Sequence, residues 1–410
     1  MSLVDRLAPP SLGSAFRWIW ASSAASNLGD GIVLAASPLL VASLTRSPLL
    51  VALSVFLQQL PWLLFGFVAG AYVDRVDRRR LTIGVDVLRA VVLVVLAGAV
   101  ATGAVSIAVV LVVAFLLGSA ETLADNAAGT LVATAVPAER LGVASSRLFG
   151  TGIVTDQLAG PPLGAFLFAA AHGLPFAADA ACYLLAAVLV SRIRLPVTER
   201  DQTASSLRRE VAEGLRWLWA HAPVRTLALT ITLFNVTYAA AMSVWVLYAR
   251  ERLGLGDVGF GLIVTCGAVG GLVGSATYRW LEQRFSLATL MRVGLTLETL
   301  THLGLALTRS PWVAGAIMTL FGVHAVVWGT TSTTVRQRAV PQRLLGRVTS
   351  VYLLGAIGGS AVGTLLGGAI GQRFGVVAPY WFGFVGSAVL TVAVWRSLTH
   401  IVHAAEDGSA

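Results

Sequence analysis

Residues 70–80 read Gly70-Ala71-Tyr72-Val73-Asp74-Arg75-Val76-Asp77-Arg78-Arg79-Arg80, a charge-dense loop between two apolar runs at 49–73 and 81–101. Each run has the ~20 residues that a helix needs to cross the ~30 Å hydrocarbon core of a bilayer. The loop cannot follow them into lipid, because an ionisable side chain at mid-membrane costs about 2.5–3.5 kcal/mol on insertion scales. It stays in water, and the runs beside it become neighbouring antiparallel spans.

The same alternation continues outward to both ends. Spans are expected near 16–44, 49–73, 81–101, 106–135, 147–171 and 174–191, and again near 224–248, 258–281, 287–307, 311–335, 347–371 and 376–397. Composition agrees: 56% of the 410 residues are hydrophobic and 12% are charged, against about 25% charged in ordinary soluble domains. No water-soluble fold hides so much apolar surface. The chain therefore reads as an all-α integral membrane protein of twelve transmembrane helices with no large extramembrane domain. Met1 to Arg17 lacks the charged region, short apolar core and small-residue cleavage site of a secretory leader, so the first run is expected to be a retained span.

A net charge of +9 would point to nucleic acid in a soluble protein. Here every basic residue is arginine, and its distribution has a simpler cause. Arg46, Arg250, Arg252, Arg309 and Arg373 fall in one set of loops, Arg89 falls inside a span, and all the others fall in the alternate loops and the termini. This inside-positive asymmetry puts both termini in the cytoplasm of a multi-pass protein of the cell inner membrane and removes nucleic acid as a partner. Cys182 and Cys266 lie in apolar segments without a ligand cluster, so no disulfide, metal or other cofactor is expected. No nucleophile elbow, His-Glu-x-x-His or phosphate loop is present, which argues against an enzyme and against direct use of ATP.

An internal repeat organises the spans. Ala135-Val136-Pro137 with Leu141-Gly142 and Ser146 recurs 204 positions later as Ala339-Val340-Pro341 with Leu345-Gly346 and Ser350; Gly70 and Arg75 map to Gly274 and Arg279 at the same offset. Both copies fall in loops on the same side, so the repeat is parallel, two pseudo-symmetric six-helix bundles about an axis along the membrane normal. The expected organisation is 1–191, a cytoplasmic linker 192–223, and 224–410. In the linker Leu207, Val211, Leu215 and Leu218 recur at helical spacing after a capping Ser206, as in an amphipathic helix on the inner leaflet. A plain tether is favoured over a regulatory role.

Glycines mark close helix packing. Gly355, Gly359, Gly363, Gly367 and Gly371 recur every four residues in span 11, and Gly160 and Gly164 share a face of span 5. Such faces let backbones approach closely. They fit helices that slide at an interface between the halves, or equally static packing.

The stretch Gly70, Asp74-Arg75, Asp77 and the arginines Arg78 to Arg80 resembles the cytoplasmic signature of the major facilitator superfamily, which sits between spans 2 and 3 of a twelve-span chain. Asp77 stands where the general pattern has Gly, and is similar to the branch of macrolide-type efflux proteins and the enterobactin exporter. Asn27-Leu28-Gly29-Asp30-Gly31, Asp86 to Arg89, and Glu213-Gly214-Leu215 resemble the same branch. The resemblance implies the superfamily fold and a cytoplasmic latch built on Gly70, Asp74, Arg75 and Arg78; Asp77, Arg79 and Arg80 are latch residues or ordinary topology charges. Gly160-Pro161-Pro162-Leu163-Gly164-Ala165 resembles the antiporter motif in part, with Asp156 in place of an earlier Gly.

Charges within the spans are the functional candidates. Asp30, Glu121, Asp125 and Asp156 each lie roughly 14–21 Å from the cytoplasmic end at 1.5 Å per helical residue. Glu121 and Asp125 share a face of span 4. The resemblance implies that spans 1, 4, 7 and 10 line the cavity, bringing Asn27, Asp30, Glu121 and Asp125 to it. Two readings stay open for the acids: proton or cation handling, or neutral carboxyls bonded to neighbouring helices. Asp86 and Arg89 read as a structural pair. In the second half Asn235, Tyr238, His324 and Trp328 are candidate cavity residues, while Glu298 and His302 read as a packing pair at one-turn spacing. An acidic wall facing an aromatic one suits a small lipophilic substrate, cations included.

The expected function is secondary active, proton-coupled efflux of drugs or secreted metabolites by alternating access. The working unit is a monomer, with protons, membrane lipid and the substrate as partners. A siderophore or other metabolite exporter, and a non-transporting receptor with the same fold, are the alternatives.

Overall fold

In the computed structural model the described residues are 9, 12–73, 76–193 and 207–398. Every regular element among them is helical. α1 (Ser14–Leu44), α2 (Pro48–Val73), α3 (Arg78–Ala101) and α4 (Ile107–Ala135) are long and single. The next stretch is helical in three pieces: α5 (Leu141–Gly152), a π-helical turn (Ile153–Ala159) and α6 (Gly160–Ala170); α7 (Leu174–Ser191) follows. Beyond the linker come α8 (Leu207–Ala220), α9 (Ala222–Met242), the short α10 (Trp245–Glu251), α11 (Asp257–Arg284), α12 (Leu287–Leu307), α13 (Pro311–Ala339), α14 (Leu345–Phe374) and α15 (Ala378–Val394).

Nine helices among the described residues are long and apolar enough to cross a membrane. Three of the expected spans fall outside that set. The stretch 141–170 is interrupted by its π turn, α12 carries Arg292, Glu298 and His302, and α15 has 17 residues. Many large apolar side chains face outward, Val94, Val95, Val112, Val389 and Val392 among them. Lipid solvates them as well as a core would, so outward apolarity costs nothing in a bilayer.

Polar caps and breakers set the helix ends. Asp77 caps α3 by accepting the Arg80 backbone N–H at 3.0 Å, and Ser106 and Ser286 cap α4 and α12 in the same way. The Pro161-Pro162 pair removes two N–H donors from the fifth segment, which frees carbonyls of the preceding turn and lets it widen into the π form.

The chain forms two compact units. One comprises Met1–Arg46, Leu57–Asp201 and Gly256–Thr265; the other comprises Ser47–Phe56, Gln202–Leu255 and Cys266–Ala410. In the first unit α7 packs on α1 and α3, and the fifth segment on α1. In the second, α9 packs on α14 and α15, and α12 on α13 and α15.

The glycine faces serve packing inside these units. Gly164 meets the backbone of Ile32, and Gly160 that of Gly31. Gly359, Gly363 and Gly367 of α14 meet the backbone carbonyls of Thr232, Val236 and Ala240 of α9, and Gly355 meets the Thr232 side chain. The linker helix α8 is docked too: Glu213 pairs with Arg347 at 2.5 Å, and Gly214 lies against the Arg347 backbone at the start of α14. Its expected cap, Ser206, lies outside the described residues.

Candidate functional site

In the first unit a cavity of about 600 Å³ is lined by Asn27 and Asp30 of α1, Asp86 and Arg89 of α3, Leu148 and Phe149 of α5, and neighbouring small and apolar residues. Buried positions on α3, Thr82, Val85, Asp86, Arg89, Ala90, Leu93 and Leu96, recur at helical spacing. The face that packs against α7 therefore carries an acid and a base into the protein interior.

There Arg89 Nη1 donates to the Tyr183 hydroxyl at 3.0 Å, and that hydroxyl donates to Asp30 Oδ1. The guanidinium also sits over the Tyr183 ring, 5.0 Å from its centre. A base, a phenol and an acid thus form one chain across α3, α7 and α1. Burial of a charge is tolerable when it is paired and bonded, and this chain gives both ends that relief. Asp86 and Glu121 lie within electrostatic range of the same guanidinium. So does Asp179 of α7, whose Oδ1 is buried without a hydrogen-bond partner among the described residues.

Asn27 and Asp30 line one cavity with Arg89, and Asp30 and Glu121 lie within electrostatic range of its guanidinium. Asn27 donates to the Ser23 carbonyl at 2.6 Å and to its hydroxyl at 3.0 Å. Asp156 sits in the π turn, half-buried, and interacts electrostatically with Asp30. Asp125 follows Glu121 by one turn of α4, and its side chain lies outside the description. Two groups, Tyr183 and Asp179, escaped the sequence reading, and a third, Arg89, has a wider part than the pair expected of it. Arg89 is bonded across to α7 instead of serving only its neighbour Asp86, Tyr183 is the link, and Asp179 is a further buried acid. Asp179 was detectable by the same rule that picked out Asp30; an uncharged tyrosine gives no comparable signal.

Of the latch residues, Gly70 falls in the last turn of α2, while Asp74 and Arg75 lie outside the described residues. Asp77 is the α3 cap described above. Arg78 Nη1 donates to Thr134 at 3.4 Å. Arg79 donates to the carbonyls of Val190 (3.3 Å) and Ser191, the C-terminal end of α7. A cation at a helix C-terminus gains typically 0.3–1 kcal/mol.

A second cavity, of about 360 Å³, lies within the second unit. Asn235, Tyr238, His324 and Trp328 all line it, with Phe321 and Glu298. Tyr238 and Phe321 stack with ring centres 4.9 Å apart, and His324 meets Phe321 edge-on at 5.8 Å. Glu298 is part of this wall and bonds His324 across helices at 3.1 Å, so its part extends beyond the expected packing pair with His302.

A family model described as transmembrane secretion effector matches residues 6–407. Multidrug efflux pump Tap of Mycolicibacterium fortuitum is 27% identical over 376 residues, covering 87% of this chain and 88% of its own length. Macrolide efflux protein A of Streptococcus pyogenes is 23% identical over 391 residues, covering 92% and 94%. Among solved structures, the nucleoside transporter NupG superimposes with a TM-score of 0.76 at 9% identity, over 94% of this chain and 100% of that one. A bacterial homologue of the iron transporter ferroportin, inward-facing, gives 0.74 at 17%, over 95% and 99%. At such identities these two likenesses show the fold alone.

Proposed function

Because the chain belongs to the transmembrane secretion effector family of the major facilitator superfamily and is a multi-pass membrane transporter, not an enzyme, we propose that it exports small lipophilic compounds in exchange for protons. Relatives named as efflux pumps support the direction and drug-like cargo. The single observation that carries proton coupling is the Arg89–Tyr183–Asp30 chain beside the first cavity.

Several carboxyls there share one guanidinium. Ionised Asp30 is held by the Tyr183 hydroxyl and, through it, by Arg89; a proton on Asp30 removes the charge that organises the chain. Asn27, a neutral amide, and the acids Glu121, Asp125 and Asp156 belong to the same proposed site, and proton and substrate occupy it in alternation. Twelve spans in two pseudo-symmetric bundles, 1–191 and 224–410, with the linker 192–223 between them, frame this exchange. Arginine placement supports cytoplasmic termini in the cell inner membrane. Gly70, Asp74, Arg75, Asp77, Arg78 and Arg79 form the inner latch, and the monomer is the working unit.

Dye efflux from energised vesicles tests this. Efflux is expected to collapse with a protonophore and to disappear in Asp30→Asn, Glu121→Gln and Asp125→Asn. Unchanged efflux in all three variants would overturn the assignment of the proton site.

A further inference from the structure

In the second unit, three ionisable side chains converge where α12 meets α13. Glu298 is 7% exposed and His302 0%. His324 Nε2 lies 3.1 Å from Glu298 Oε2, and His302 Nε2 lies 3.7 Å from Oε1, so the two imidazoles flank one carboxylate. Room for both rings is built into the helices. A Cβ at Gly294 of α12 would stand 2.9 Å from His324 Nδ1, and one at Gly383 of α15 would stand 2.7 Å from His302 Nδ1. Both Nδ1 atoms are buried without a hydrogen-bond partner among the described residues.

The other titratable groups near this centre are few. Tyr238 of α9 is in electrostatic range of Glu298, with Tyr380 of α15 behind it. Arg292, further along α12, is engaged with the Trp395 carbonyl at 3.1 Å. Glu298 and His324 line the second cavity, whereas His302 sits behind them. Beside aliphatic residues and Asn235, the wall carries the Tyr238–Phe321 stack and Trp328, whose ring faces attract positive charge. A carboxylate ringed by aromatic faces offers a cation both a counter-ion and an apolar seat, and it repels an anion.

We propose that this cavity is an organic-cation site in which Glu298 is the counter-ion and the His302–His324 pair holds the proton that the arriving cation displaces. Before binding, a protonated imidazole neutralises Glu298. When the cation takes its place, the imidazolium N–H bond breaks, the electron pair stays on the ring nitrogen, and H⁺ passes through His324 to cavity water. Net charge in the buried centre is the same before and after, which a low-dielectric site requires. The proposal deepens the exporter reading and rests on it, but on residues of the other unit.

The test uses the purified full-length protein in lipid nanodiscs, lightly buffered, with a pH indicator and tetraphenylphosphonium as probe. Binding should release about one proton per cation and, because it releases protons, be tighter at about pH 8.5 than at about pH 5.5. Glu298→Gln should weaken binding at least tenfold and abolish release, and Glu298→Asp should restore part of both. A His302→Asn/His324→Asn variant should bind the probe without releasing protons, and tetraphenylborate should not compete. Equal affinity at the two pH values, or full proton release from Glu298→Gln, overturns the proposal. Asp30→Asn separates it from the earlier reading: that variant should lose vesicle efflux and keep probe-linked proton release. If Asp30→Asn loses the release while Glu298→Gln keeps it, the cation site is not here; if release is intact but efflux ignores the protonophore, only the coupling through Asp30 fails.

Discussion

Removing one oxygen atom in Tyr183→Phe breaks the link between Arg89 and Asp30 and leaves each partner short of a bond. Hydrogen bonds to charged groups contribute about 1.5–3 kcal/mol, so vesicle efflux is expected to fall about tenfold or more on the usual conversion of 1.36 kcal/mol per decade. Efflux equal to that of the parent would show that the chain plays no part in transport. Asp77 illustrates a different kind of charge. As the α3 cap, Asp77→Ala should cost about 0.5–2 kcal/mol, read as a lower melting temperature in detergent. How much of the site was legible varies by chemistry. Asp30, Glu121 and Asp156 announce themselves because ionised groups in apolar runs demand an explanation. Tyr183 does not, since a tyrosine in a span is ordinary. The Glu298–His302 spacing was readable along one helix, but His324 joins them only through the packing of α13 on α12, which no single span reveals.

At the level of elements, the four-residue glycine period of α14 was plain in the sequence, but its partner was not. Close approach to α9 depends on which face of a neighbour is offered, a property of the packed bundle. Gly363→Leu would push a side chain into the Val236 carbonyl, and overpacking of this sort costs typically 1–3 kcal/mol; the measurement is the folded fraction on gel filtration in detergent, with Gly346→Leu, which meets open space, as the control. The π turn was equally hidden, although Pro161-Pro162 marked where a regular ladder fails. The Glu213–Arg347 pair between α8 and α14 is partly solvated, with side chains 44% and 33% exposed. A double-mutant cycle there should give a coupling of no more than about 1 kcal/mol, as for exposed pairs.

For the whole molecule, alternation of apolar runs and arginine loops made the membrane architecture legible, because lipid imposes the same span length on every crossing. Exact span limits were not, since α12 trades hydropathy for Glu298 and His302, and the fifth segment trades regularity for its π turn. Reporter fusions test the orientation: a fluorescent protein at either terminus should glow inside intact cells, and a periplasmic phosphatase at Arg309 should be active. A glowing terminus paired with a silent one would mean an odd number of crossings. The two units also exchange short pieces of sequence, Ser47–Phe56 grouping with the second and Gly256–Thr265 with the first. A gene split at the linker would therefore yield two products that each carry off a strip the other requires, so neither should mature when synthesised alone, and only co-expression should rescue them.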